Sequence, residues 1–252
     1  MDRPRRTHAE ARARMREGIL RLGREQLAQS GAAGLSVREI ARGLGVASSA
    51  IYRHVASRDE LLTLLLVDAY TALAEAALAD VDPAAPPIER LATIARGMRD
   101  WAVVHPASWA LAYGSPVPGY AAPAEQTTGP GTRVMAAFME VLLLGREQRK
   151  GAGRASAFRV SPPVSPGLAA EIAAGAAELG FEEGGEGDAD AAAADPGFAA
   201  DAVEAWTGLV GLVSAEVFQQ LGPDLARHGS ELLERWIATT ADRFALRGSL
   251  DD

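Results

Sequence analysis

Apolar positions along this chain recur at helical spacing. Val37, Ile40, Ala41 and Leu44 fall at i, i+3, i+4 and i+7, one face of a short second helix over Val37–Leu44. Upstream, Ile19, Leu22 and Leu27 mark the stripe of a first helix over Ala9–Gln29, which Gly31 ends. Ile51 and Val55 mark a third, Ser48–Val55, and Leu61, Leu62, Leu65, Leu66 and Tyr70 a longer fourth that begins after Ser57. Three capping boxes, Thr7–Glu10, Ser36–Glu39 and Ser57–Glu60, open the first, second and fourth of these runs. In each, the hydroxyl can accept from the third helical N–H while the Glu reaches back to the cap.

The pattern continues to the C-terminus. Asp82–Pro87 reads as a turn, and helices follow at Ile88–Val104, at Trp109–Tyr113 after a break at Pro106, and at Thr132–Gln148 and Gly167–Leu179. Two last helices, Phe198–Leu221 and Leu225–Leu246, are separated by Gly222-Pro223. Loops are expected near 114–131, 149–166 and 182–197, with the acidic, Gly/Ala-rich Glu182–Asp195 mobile. Alternating β-branched runs are scarce, so the expected fold is all-α.

Composition narrows the function. At 48% hydrophobic and 23% charged, 252 residues can bury a core as one large domain or two small ones. The absence of cysteine excludes disulfides, thiolate metal sites and a cysteine nucleophile. No apolar run is expected to reach the ~18 residues of a membrane span, and no apolar segment with a small-residue cleavage site follows the basic start. A cytoplasmic protein with no membrane partner is the expectation. Neither a nucleophile elbow nor a paired-histidine metal motif occurs, so no catalytic residue, metal or cofactor is expected. An enzyme built on His105 is the remote alternative.

The net charge of −8 hides a split. Residues 1–60 hold twelve Arg against seven acidic residues, and the remainder thirteen cations against twenty-six. A basic head on an acidic body suits a polyanion partner for the head alone. All but one of the cations are Arg, which binds phosphate and guanine bidentately. Within the head, Ala41 permits close helix approach, Gly45 supplies a turn, and Ile51 plugs the gap between two helices. That set describes a helix-turn-helix.

Gly34–Ala41, Leu44-Gly45-Val46, Ile51-Tyr52-Arg53-His54-Val55 and Ser57-Arg58-Asp59-Glu60-Leu61-Leu62 resemble the DNA-binding head of the TetR family of transcriptional regulators. The resemblance covers about residues 12–66. It implies an all-α homodimer with a three-helix head and a helical ligand-binding body, double-stranded operator DNA as partner, and a small-molecule effector that releases it. The expected domains are 1–66 and 67–252. Ser36 suits a phosphate at the start of the second helix. Arg38 matches the family position that reaches a base edge. Ser48 and Ser49 open the recognition helix. Tyr52 and His54 match the family's phosphate contacts, Arg53 lies on the exposed side, and Arg58 replaces the more usual Lys as a phosphate neutraliser. The arm with Arg3, Arg5 and Arg6 could track the backbone or enter a minor groove. Three departures stand out. Ala47 replaces a capping Ser, so that Ser48 would cap instead, and Val55 and Ala56 replace a usual Phe and Pro.

In the body, Trp206, Leu209, Val210, Val213 and Val217, with Leu233, Trp236 and Thr240, form apolar stripes that two subunits could join into a four-helix bundle. Met98, Trp101, His105, Trp109, Tyr113, Met135, Phe138 and Met139 are candidate ligand lining, with His105 and Tyr113 as polar handles. Control by a protein partner, and activation instead of repression, remain alternatives.

Overall fold

A computed structural model describes residues 8–151, 162–178 and 195–247, and every regular element among them is helical. The described residues divide into two compact units. The first runs to Ala72 and takes in His105–Pro130; the second comprises Leu73–Val104 and the chain from Gly131 onward. Two helices, α4 and α7, are divided between them. The division differs from a single cut after residue 66, because α6 comes back to pack against α1.

The first unit is built on α1 (His8–Ser30), a 3₁₀ turn (Ala32–Gly34), α2 (Val37–Gly43), α3 (Ser48–Ile51), the first part of α4 (Arg58–Leu78) and α6 (Pro106–Tyr113). Its core gathers Ile19, Leu27, Leu35, Val37, Ile40, Ala41, Ile51, Val55, Leu61, Leu62 and Leu65, with Leu111, Val117 and Tyr120 packed against them. Each fully buried Leu or Ile is worth about 1.5–3 kcal/mol. Ser36 caps α2 by accepting from the Glu39 N–H at 3.3 Å, and Ser57 does the same for Glu60 at 3.1 Å. The Glu60 carboxylate accepts from the Ala56 N–H, one residue before the expected cap N–H. Thr7 of the third capping box lies outside the described residues.

The second unit packs α5 (Pro87–Val104) against α9 (Pro196–Val217) and α11 (Gly229–Arg243). It also holds most of α7 (Ala124–Gly151), α8 (Pro166–Glu178) and the short α10 (Gly222–Ala226). Ion pairs tie the helices together: Arg90 to Glu140 at 2.8 Å, Arg96 to Glu234 at 2.7 Å, and Arg243 to Asp201 and Glu204 at 2.8 Å. The end of α4 and α5 approach so closely at Gly97 that a Cβ there would stand 2.7 Å from the Ala77 Cα.

Several boundaries depart from the sequence pattern. Pro106 does not break a helix but starts α6 at its first position, where a missing N–H costs nothing. The Pro/Gly-rich stretch 114–131 is a loop only to Pro123. There the carbonyl of Pro123 accepts from the N–H groups of Gln126 and Thr127 and from the Thr127 hydroxyl, which starts α7 with Pro130 inside it. At its other end α7 extends to Gly151; 152–161 and 179–194, including nearly all of the acidic stretch expected to be mobile, lie outside the described residues.

The third helix, expected to reach Val55, stops at Ile51, and the chain continues as a turn in which the N–H groups of His54 and Val55 both donate to the Ile51 carbonyl. The last expected helix is split at Arg227–His228. Gly229 then opens α11 beneath the Glu216 carboxylate, whose atoms occupy the space a Cβ would need. The expectation of no span-length apolar run also needs correcting. Both α4 and α9 are long and apolar enough to cross a membrane by length and composition, though half of the α4 window is buried inside the protein.

Candidate nucleic-acid interface

The head is organised around one turn. Gly45 sits at φ 67°, a left-handed conformation that glycine adopts without strain. The Val46 N–H reaches back to the Ala41 carbonyl at 3.0 Å and the Gly45 N–H to Arg42 at 3.1 Å, a pair of bonds that closes α2 and redirects the chain. After the turn, Ile51 and Val55 anchor α3 at 0% and 1% exposure. With that side fixed in the core, Ser48, Ser49, Tyr52 and Arg53 are left exposed together. Ser48 is the first helical residue rather than the cap; Ala47 holds the cap position without a side-chain bond.

Arg38, on the open side of α2, is exposed and holds no ion pair among the described residues, as does Arg53. Arg42 instead pairs with Glu39 at 3.3 Å, an exposed i,i+3 contact of small energetic value. His54 is half-buried at the end of the α3 turn. Arg58 opens α4, as expected, and is partly engaged within the head. Its guanidinium donates to the Ala32 carbonyl at 2.8 Å and so fastens the start of α4 to the 3₁₀ turn, with part of its charge still open to solvent. The arm with Arg3, Arg5 and Arg6 lies outside the described residues.

One residue that positions the site escaped the sequence pattern. Gln26 of α1 accepts from the Ser36 N–H at 2.9 Å and donates to the Ser36 carbonyl at 3.5 Å, clamping the backbone where α2 starts. A polar side chain beside the apolar stripe of α1 was the only signal. Replacing Gln26 with Leu leaves the Ser36 N–H without its acceptor. The expected cost is about 1–2 kcal/mol, read as a lower urea midpoint with DNA affinity reduced in step.

The candidate ligand residues separate. In the second unit Met98, Trp101 and Phe138 are buried, Met135 and Met139 half-buried, and Phe138 lies 5.5 Å from the ring of Trp206 and 6.2 Å from that of Trp236. In the first unit Trp109 is fully buried, with Tyr113 4.5 Å from it and Tyr70 6.2 Å beyond, while His105 is exposed at the start of α6. Burial raises the Tyr113 hydroxyl well above its usual range, with the neighbouring Tyr70 adding to the shift. Tyr120 shares a 3.0 Å hydrogen bond with Thr63 of α4.

Of the candidate dimer residues, Leu209, Val213, Leu233 and Thr240 are buried within the chain itself, at 5% exposure or less. Trp206, Val210, Val217 and Trp236 are half-buried. The open row of α9 runs instead through Val203, Thr207 and Gly211. Nothing stands within 4 Å of a Cβ built on Gly211, whereas the same position at Gly208 is filled by the Trp236 indole.

Comparison with known families matches residues 19–65 to bacterial regulatory proteins of the tetR family, and residues 91–240 to a tetracyclin repressor-like C-terminal domain. The HTH-type transcriptional regulators Rv1816 of Mycobacterium tuberculosis and Mb1846 of Mycobacterium bovis are each 43% identical over 219 residues, 86% of this chain and 86% of theirs. Among solved structures, regulatory protein SCO4313 superposes with a TM-score of 0.65 at 25% identity, over 93% of this chain and 98% of that one. The fatty acid degradation regulator FadR from Bacillus halodurans shares the fold, with a TM-score of 0.52 at 13% identity over 88% and 94%.

Proposed function

The chain belongs to the TetR family of bacterial regulatory proteins, and from that premise we propose that it is a ligand-responsive repressor that binds a palindromic operator as a homodimer. It is a DNA-binding transcriptional regulator, as its relatives are, and not an enzyme. The finer reading rests on one observation: Gly45, Ile51 and Val55 hold α3 so that Ser48, Ser49, Tyr52 and Arg53 stand together on its open side. Ser48 and Ser49 would meet base edges, as the first residues of a recognition helix do. Arg38 would read guanine, while Ser36, Tyr52, Arg53 and His54 would hold phosphates. Arg58 would add a phosphate contact only with the charge it does not spend on Ala32. The DNA-binding domain in this reading is residues 1–66, the remainder carries effector and partner subunit, and the protein is cytoplasmic.

Dimerisation would use the uncharged row Val203, Thr207 and Gly211 of α9, with the half-buried Leu232 and Trp236 of α11 beside it. Gly211, open and small, is where a second copy could come closest. The effector would lie in the second unit, among Met98, Trp101, Met135, Phe138 and Met139. Because α4 is one continuous helix of 21 residues belonging to both units, a ligand that biases its direction would alter the spacing of two recognition helices.

Substituting Gly211 with Glu sets two carboxylates against each other across a two-fold axis. Sedimentation should show a dimer for the parent and a monomer for the variant at micromolar concentration, with operator affinity falling at least a hundredfold. A parent that is monomeric on DNA, or a variant that remains dimeric, rejects the dimer face. Ligand release is checked by thermal-shift screening against a metabolite library, followed by titration of each hit into the DNA complex. Unchanged affinity with saturating hits would leave a DNA-binding regulator without this switch.

A further inference from the structure

Among the described residues Arg90 is the one buried cation, at 9% exposure. Its Nη2 donates to one oxygen of Glu140 at 2.8 Å, and the Glu140 side chain is 58% exposed. Its Nε–H is closed off from solvent and has no acceptor among the described residues. Nε and Nη2 form one edge of the guanidinium, the edge that takes both oxygens of a carboxylate. Two other arginines of α5 show that edge filled. Arg96 binds both oxygens of Glu234 through it, at 2.7 and 2.8 Å, and Arg99 both oxygens of Glu216, at 2.8 and 2.6 Å. In Arg90 the same edge is half used. A buried donor without an acceptor carries the full cost of its desolvation, which an incoming acceptor would relieve.

The place of Arg90 on α5 favours an anion twice. Arg90 is the fourth residue of a helix of 18, and its side chain leans back towards the helix N-terminus. That is the positive end of the helix dipole, where a cation is disfavoured and an anion is stabilised. Ile88, Glu89, Ala92 and Arg96 line an open groove towards α11, so Arg90 faces away from it. Ile94, Met98 and Trp101 follow Arg90 by four, eight and eleven residues, on its own side of α5, and all three are buried. At ~1.5 Å per residue, Met98 and Trp101 lie about 12 and 16 Å along the helix. Both belong to the set in which the effector was placed. Access does not require the core to open first, because Glu140, the outer member of the pair, stands in solvent.

We propose that Arg90 is a carboxylate-binding site, and that the effector of the second unit is an amphipathic acid. Its carboxylate would displace Glu140 and occupy both Nε and Nη2, with its apolar part directed along α5. The displaced Glu140 returns to water at small cost, since an exposed partner contributes little. The use of the site rests on the reading of the second unit as the effector-binding part and adds to it a chemical class.

Octanoate and octanol, which share an apolar chain and differ in the head group, are the probes. Each is titrated calorimetrically into the full-length parent, Arg90→Lys, Arg90→Gln and Glu140→Gln, with thermal melting as the check on folding. The parent should bind octanoate about tenfold or more tightly than octanol, and Arg90→Gln should lose that preference. Arg90→Lys keeps the charge without the two-pronged edge and should fall between them. Glu140→Gln should bind octanoate about two to five times more tightly than the parent, because the competing carboxylate is gone. A pair that merely props α5 against α7 would give no such gain. In the NMR spectrum the Arg90 Nε–H resonance, identified by its loss in Arg90→Lys, should move with octanoate and not with octanol. Equal affinity for the two probes, or an Nε–H signal that saturating octanoate leaves in place, overturns the proposal; the donor is then satisfied by water. Octanol that binds as well as octanoate and releases the operator would do so while keeping the ligand-responsive reading. Octanoate that binds at Arg90 and leaves operator affinity unchanged supports the site and rejects that reading.

Discussion

Shortening Ile51 to Ala is expected to abolish operator binding at 25 °C while the second unit stays folded. Ile51 is 0% exposed, and with Val55 it is what holds the short α3 in the core of the head. A four-residue helix has too few internal hydrogen bonds to persist without packing. Deleting three carbons from a closed site costs the transfer energy and leaves a cavity, together about 2–5 kcal/mol. Against the usual ~5–15 kcal/mol of a whole domain, that is a large fraction. Once detached, Ser48, Ser49, Tyr52 and Arg53 no longer share one fixed surface. Urea unfolding followed by DNA anisotropy should show binding lost at or below a midpoint that far-UV circular dichroism barely registers. Operator affinity within threefold of the parent would mean that α3 is held by something other than Ile51.

Removing Arg99 should have the largest effect in the second unit. Its guanidinium binds both oxygens of Glu216, at 2.8 and 2.6 Å, with the carboxylate only 12% exposed. That carboxylate lies over Gly229 at the first turn of α11, so it also faces the positive end of a helix. Arg99→Ala leaves it buried without its cation, a loss of about 3–5 kcal/mol. Glu216→Ala should cost less, because Arg99 keeps Asp100 at 3.1 Å. The double variant should be at least ~1.5 kcal/mol more stable than the two single losses added together, since neither charge is then stranded. Additive losses in a denaturation cycle would show that the pair is not coupled.

What the sequence made legible was local. Gly45 could be read because a sharp reversal between two apolar helices needs a positive φ. Ser36 and Ser57 could be read because a cap and its Glu sit three residues apart. Long-range partners were not legible. Nothing near Arg58 announced that it would bond the carbonyl of Ala32, and Gln26 reaches Ser36 across ten positions. Pro and Gly density misled at 124–131, where Pro130 is the seventh residue of α7 and the first turn is held by the Pro123 carbonyl, which accepts from the Thr127 hydroxyl. In the last helices the apolar positions divide between buried and half-buried, and periodicity cannot say whether a stripe meets its own chain or a second copy. Leu209 and Val213 turned out to serve the chain's own core, which left Val203 and Gly211 as the open face. The candidate ligand residues posed the same problem, since an aromatic at helical spacing looks alike in a core and in a pocket.

The central claim is that a basic N-terminal helix-turn-helix, present twice by symmetry, reads duplex DNA. Selecting bound duplexes from a random pool with the full-length protein tests it most directly. The expected result is an inverted repeat whose half-sites keep a fixed spacing, with Arg38→Ala losing about 1–3 kcal/mol of discrimination at one position of each half-site. A pool that remains random after repeated rounds at low salt, or that yields a motif without two-fold symmetry, would contradict it.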